Sequence, residues 1–308
     1  MVVDRSEPIA GMTAMKCQPI RRLLVVISLV WAGTLPAAEL AVPLTAARQI
    51  AGVLPCRSMF FEVEGHSAFL FLPTASNNLP VKPWVWYAPA RPGHPDPNHV
   101  WMFRQFLEKG IAVAGVDIGE SYGNPAGRKI FTALWEKLTR EYALAERACL
   151  MAQSRGGLML YNWAAENPQR VACIAGIYTV CDLRSFPGLS TACPAYGMDE
   201  AALATRLSEH NPIDRLKPLA DAGVPIMHLH GGNDKVVPLE KNSGELFRRY
   251  QALGGSMRLI VVPGKGHEEV PEFFRCQELV GFVAARALAQ TQGRPARLAV
   301  VNPANPQP

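Results

Sequence analysis

Between residues 84 and 289 short apolar runs alternate with longer segments of helical spacing, and this alternation narrows the fold more than any other feature. The apolar runs fall at 84–87, 111–116, 148–152, 171–178, 225–230 and 257–262. Segments with helical spacing lie between them, at 98–109, 126–142, 158–164 and 240–253, and after the last of the runs, at 271–289. A near-continuous apolar run such as 111–116 suits a strand buried on both faces of a parallel sheet. Strand and helix in regular alternation predict an α/β chain with a doubly wound, mostly parallel sheet. Upstream, the alternating runs 59–63 and 68–72 read as a hairpin through Gly65-His66 at a sheet edge. Residues 181–216 contain no strand and one short helical stretch, 199–209, and read as an insertion over the carboxyl edge of the sheet. Ligands of such sheets sit at the carboxyl ends of the strands.

The termini read differently. Lys16, Arg21 and Arg22 precede the apolar run 23–33, and Thr34-Leu35-Pro36-Ala37-Ala38 follows it, which is the layout of a secretory signal. The run is shorter than the ~20 residues that span a bilayer. The expectation is therefore a signal peptide at 1–38, cleaved near Ala37 or Ala38, and an exported domain at 39–290 with no membrane attachment after cleavage. Residues 291–308, broken by Gly293-Arg294-Pro295 and Asn302-Pro303, read as a disordered tail. The formal net charge is +5 and the basic residues are scattered, so a nucleic-acid partner is not expected. Of the seven cysteines, Cys149 and Cys173 lie in strand runs and read as buried thiols. Cys181 and Cys193 flank a loop and are candidates for a disulfide in an exported chain. No CxxC pair or His/Cys cluster suggests a metal, and no cofactor is expected.

The chemistry centres on Ala152-Gln153-Ser154-Arg155-Gly156-Gly157, where an apolar strand run breaks at Ser154 and helical spacing resumes at once. A serine on so sharp a strand-turn-helix exposes its hydroxyl, and the amide of the next residue, Arg155, is free to stabilise an oxyanion. Small neighbours, Ala152 and Gly156, suit the close approach of strand and helix. A serine hydroxyl needs a base, and the base needs a partner that fixes its tautomer. Two loops at later strand ends supply them: Gly231-Gly232-Asn233-Asp234 and Pro263-Gly264-Lys265-Gly266-His267. Gly119-Glu120-Ser121-Tyr122-Gly123 is a literal G-x-S-x-G, but Asn124-Pro125-Ala126-Gly127 delays the helix after Ser121, so Ser154 is preferred.

In the order Ser154, Asp234, His267 the chain resembles the α/β-hydrolase superfamily. More narrowly, Asn211-Pro212-Ile213-Asp214, the run His230 to Pro238 and Gly264-Lys265-Gly266-His267 resemble the prolyl-oligopeptidase/dienelactone-hydrolase branch. The resemblance implies Ser154 as nucleophile, Asp234 as acid and His267 as base, with Ala152 standing where the usual elbow has its first glycine. It also implies a second oxyanion donor in the loop after 84–87. Pro89 has no amide hydrogen, which leaves Ala88 or Ala90, and the superfamily's His-Gly-x pattern favours Ala90, with the Tyr87 hydroxyl as an alternative. His228 and His230 read as structural hydrogen-bonding groups, while His66, His94, His99 and His210 are expected to be solvated. The reading is an exported serine hydrolase acting on a small-molecule carboxylic ester; a small-peptide peptidase and an inactive binding protein are its rivals. The ester is preferred because the sequence shows no large separate domain of the kind that screens peptides in oligopeptidases of this branch.

Overall fold

Every residue of the fourth to seventh strands is buried, as the near-continuous apolar runs require of strands covered on both faces. The computed structural model describes residues 44–74, 80–89 and 91–291, which belong to one compact unit of the chain, 41–308. The expected signal peptide and all but the first residue of the expected tail lie outside the described residues. Strands β1 (Cys56–Val63), β2 (His66–Pro73), β3 (Trp84–Ala88), β4 (Ala112–Val116), β5 (Ala148–Gln153), β6 (Val171–Ile177), β7 (Ile226–Gly231) and β8 (Met257–Val262) form one sheet in the order β1-β2-β4-β3-β5-β6-β7-β8. The hairpin β1-β2 is antiparallel, as is the pairing of β2 with β4. All other pairs are parallel.

Strand periodicity divides the core into two layers. Trp84 and Trp86 of β3, with Ala148, Leu150 and Ala152 of β5, face helices α3 (Pro125–Glu141) and α4 (Gly156–Glu166) through Phe131, Leu134, Leu160 and Trp163. The Trp86 ring lies 5.4 Å from that of Trp84 and 4.8 Å from that of Trp163, contacts that add about 0.5–1.5 kcal/mol each beyond area burial. Val85, Tyr87, Cys149 and Met151 face the opposite layer, which holds α1 (Thr45–Ala51), α2 (Val100–Glu108) and α11 (Gln277–Ala289). These tryptophans are core.

Several boundaries differ from the expectation. The hairpin turns at Glu64-Gly65, both at positive φ, so His66 already belongs to β2. Between 181 and 216 there is no strand, as expected, but the helical content is divided among α5 (Leu189–Ala192), α6 (Glu200–Thr205) and α7 (Leu207–His210). This insertion has its own apolar cluster of Leu183, Ala192, Tyr196, Leu203 and Leu207 on Leu158 and Val237. After α8 (Lys217–Asp221), the helix expected at 240–253 starts at Ser243 as α9 (Ser243–Ala252), because Asn242 turns aside to bond Pro238, Ser185 and the Cys181 amide. The last helix is divided into α10 (Pro271–Phe274) and α11 by Cys276, which is extended. Cys181 and Cys193 are both free, which corrects the disulfide expectation. Cys181 points into the layer under α3 and α4, where its thiol donates to the Thr179 carbonyl, whereas Cys193 sits in the insertion cluster.

Candidate active site

Ser154 follows the last residue of β5 and adopts φ +47°, a left-handed conformation that costs a non-glycine residue on the order of 1–3 kcal/mol. Its neighbours over-determine it. The Ser154 amide donates to the Ile177 carbonyl at 3.0 Å, and its own carbonyl accepts the Gly157 and Val180 amides at 3.0 and 2.9 Å. The two glycines that follow have no room for a side chain: a Cβ on Gly156 would lie 2.3 Å from the Ala88 oxygen, and one on Gly157 2.2 Å from the Val180 oxygen. Strand β3, the elbow and the 178–180 segment therefore close on one another only with glycine at both positions.

The predicted acid and base, Asp234 and His267, follow the ends of β7 and β8, and glycine again sets their spacing. A Cβ on Gly231 would meet the Lys265 oxygen at 2.4 Å, and the Asn233 amide donates to that oxygen at 2.8 Å. The structure brings the three predicted residues together. Ser154 Oγ lies 2.9 Å from His267 Nε2, and His267 Nδ1 lies 2.8 Å from Asp234 Oδ2. With Nδ1–H donated to the carboxylate, Nε2 is left as the acceptor for the serine proton. Asp234 Oδ1 accepts the Val236 and Val237 amides at 3.0 and 2.8 Å. Burial alone would push the Asp234 carboxyl up. Hydrogen bonds from His230, His267 and the Val237 amide outweigh it and hold the group well below the usual carboxylate range.

Comparisons with known proteins agree with this architecture. Residues 128–279, which include Ser154, Asp234 and His267, match the prolyl oligopeptidase family, Peptidase_S9. Over residues 128–279 the chain is therefore similar to the prolyl oligopeptidase family. A search of curated proteins finds no match. Among solved structures, a truncated carbohydrate esterase from gut microbiota superposes with a TM-score of 0.61 at 16% identity, over 75% of this chain and 96% of the esterase. Dipeptidyl peptidase 4 of Porphyromonas gingivalis gives 0.58 at 14% identity, over 75% of this chain and 35% of the peptidase. Oligopeptidase B of Leishmania major gives 0.58 at 12% identity, over 77% and 37%. The chain thus spans about a third of the length of these peptidases. At such identities the likeness is one of fold, and the fold is that of the α/β-hydrolases.

The predicted oxyanion donors stand as follows. The Arg155 amide lies at the N-terminal end of α4 and has no hydrogen-bond partner among the described residues. Its guanidinium is paired with Glu120. Ala90 is outside the described residues. The Tyr87 hydroxyl, the alternative donor, is buried and committed to Gln153 Oε1 at 2.6 Å. Ser121 is buried in the turn before α3, where its hydroxyl accepts the Gly123 amide at 3.3 Å and its Cβ lies 2.8 Å from where a Gly127 Cβ would be.

The expectation of solvated histidines is corrected at His99 and His210, each 2% exposed. His210 lies under the insertion against the Tyr196 ring. His99 belongs to a polar network behind the serine that the sequence did not reveal. His99 Nε2 lies 2.7 Å from Gln153 Oε1, and Gln153 Nε2 donates to the Tyr178 hydroxyl at 3.0 Å and to Glu269 at 3.3 Å. Glu269 also accepts from Asn98 and pairs with His94, while the Tyr178 ring lies 4.3 Å from that of His267. The one available signal was Gln153 itself, a polar residue closing an otherwise apolar strand. His94, Asp96 and Glu269 also place ligand-type atoms within 4.8 Å of one another. Each is engaged within the network, Asp96 through His99 and Asn98, and we assign the cluster no metal.

Proposed function

We propose that the chain is an exported serine hydrolase that cleaves carboxylic esters through an acyl-enzyme. The observation that carries this reading is the continuous hydrogen-bonded chain from Ser154 through His267 to Asp234 at the carboxyl ends of β5, β8 and β7. Ser154 Oγ attacks the acyl carbonyl as its proton passes to His267 Nε2, and the imidazolium is stabilised by the buried Asp234 carboxylate. The Arg155 amide, with a second amide from the loop after β3 that we assign to Ala90, holds the tetrahedral oxyanion. His267 returns the proton to the leaving alcohol, which departs as the acyl-enzyme forms. Water activated by the same base then releases the acid and restores the Ser154 hydroxyl.

The ester reading draws support from the likeness to the truncated carbohydrate esterase. The peptidase reading stands second, supported by the family match. Export rests on the charged, apolar and small-residue order of 1–38, and the secreted or periplasmic form is expected to begin near residue 38 or 39. The deciding experiment offers the purified mature protein acyl esters, including acylated carbohydrates, beside aminoacyl amides. Turnover of esters with none of amides is expected. A preference for amides would give the peptidase reading, and failure of Ser154 to react with a fluorophosphonate would remove both.

A further inference from the structure

Behind Asp234 runs a second hydrogen-bonded chain, entirely buried, whose direction is fixed by a single carbonyl. His230 Nε2 lies 2.8 Å from the Val237 oxygen. A carbonyl only accepts, so Nε2 carries the proton and, in the neutral ring, Nδ1 is the acceptor. Ser243 Oγ, 2.8 Å from His230 Nδ1, must then donate to it. The serine oxygen in turn accepts from His228 Nδ1 at 2.9 Å, which leaves His228 Nε2 to accept the Tyr161 hydroxyl at 2.7 Å. Burial keeps His228 neutral, with its value pushed down to about 3, as this scheme requires.

The chain reaches Asp234 in two ways. The Val237 oxygen that His230 holds belongs to the residue whose amide donates to Asp234 Oδ1, so the ring fixes the turn that clamps the carboxylate. The same Nε2 lies 3.5 Å from Asp234 Oδ2, the oxygen that receives His267. The surrounding fold makes room for this arrangement: a Cβ on Gly176 of β6 would lie 2.4 Å from the His228 ring. We propose that His230 is a positioning residue for Asp234, its Nε2–H holding the 234–237 turn and facing the carboxylate, with its tautomer locked from behind by Ser243, His228 and Tyr161. The proposal rests on the triad reading above. Besides His230, the titratable groups facing Asp234 among the described residues are His267 and, at the end of β6, Tyr178.

The test needs no natural substrate. The second-order rate of Ser154 labelling by a fluorophosphonate is measured against pH for the wild type, His230→Leu, His230→Gln and Ser243→Ala, together with each protein's melting temperature. His230→Leu is expected to slow labelling by about 10- to 100-fold through misplacement of the acid. With one donor fewer competing for the carboxylate, the acid inflection of the rate profile moves up by as much as about one unit. His230→Gln, which can place an N–H where Nε2 lay, restores most of the rate and the original inflection. Ser243→Ala, which keeps the ring but loses the lock, slows labelling and moves the inflection in the same direction as His230→Leu. A merely structural role would lower melting temperatures and leave the inflection unmoved. The proposal is overturned if folded His230→Leu labels like the wild type, or if His230→Gln is no better than His230→Leu. Should His230→Leu not fold, a Ser243→Ala protein with the wild-type rate and inflection overturns it instead. Failure of the wild type to label at Ser154 removes the triad reading itself, an outcome distinct from these.

Discussion

Ser154 combines a strained backbone with a hydroxyl 2.9 Å from His267 Nε2, and the two properties can be separated by substitution. Ser154→Ala removes the proposed nucleophile and leaves the strain, so hydrolysis is expected to fall by roughly 10⁵- to 10⁶-fold with little change in stability. Ser154→Gly is equally inactive but relaxes φ +47°, and a gain of about 1 kcal/mol in denaturant unfolding is expected from it. Ser121→Ala should leave measurable turnover, since that hydroxyl serves the turn before α3. The reverse ranking of Ser121 and Ser154 would sink the elbow assignment. Asp234→Asn tests the acid at the same scale: with the wrong tautomer and no imidazolium stabilisation, the rate should drop by up to about 10⁴-fold. It also carries a stability signature. The folded-state value of Asp234 is depressed, so the group stabilises the fold above the unfolded carboxyl value, and that contribution disappears as pH falls towards the folded value. Unfolding curves of Asp234→Asn below pH 4 should accordingly be flatter than those of the wild type.

At the scale of elements, the turn between β5 and α4 is set by backbone approaching backbone. Gly→Ala inside a helix usually gains about 1 kcal/mol. At Gly156 and Gly157 the added methyl meets the carbonyls of Ala88 and Val180 at 2.3 and 2.2 Å, neither of which is a flexible side-chain end. Both alanine variants are therefore expected to be destabilised, by about 1–3 kcal/mol from overpacking, and to lose fluorophosphonate labelling as the elbow shifts. A rise in melting temperature for either would contradict the packing described. Strands were legible in the sequence because burial on both faces leaves an unbroken apolar run, as in β4 and β6. Helix ends were less legible because side-chain contacts from distant segments decide them. Asn242 is the clear case: its bonds to Pro238, Ser185 and the Cys181 amide delay α9 to Ser243, and no local signal marks it.

For the molecule as a whole, the same contrast separates the proposed triad from what surrounds it. Ser154, Asp234 and His267 each sit in a short glycine-bearing loop after an apolar strand, so each could be read locally and their order along the chain did the rest. The Tyr87, His99, Gln153 and Glu269 network joins groups as far apart as residues 87 and 269, and only the sheet order brings them together. Folding such polar groups into the core leaves a mark on global stability that can be measured at His228. This ring is fully buried, and desolvation, with His230 beside it, lowers its value from 6.5 to about 3. Below about pH 6.5 the unfolded chain therefore takes up a proton that the folded chain refuses, and stability declines with falling pH until about 3. From pH 7 to 5 this one group should cost roughly 2 kcal/mol. His228→Asn keeps a donor for Ser243 and cannot be protonated. It is expected to be less stable than the wild type at pH 7, yet to lose less on acidification to pH 5. Urea unfolding of both proteins at the two pH values decides it: equal losses would mean that His228 takes up its proton in the folded state, through an opening of the β7-α9 layer that the buried chain from Tyr161 to His230 does not allow.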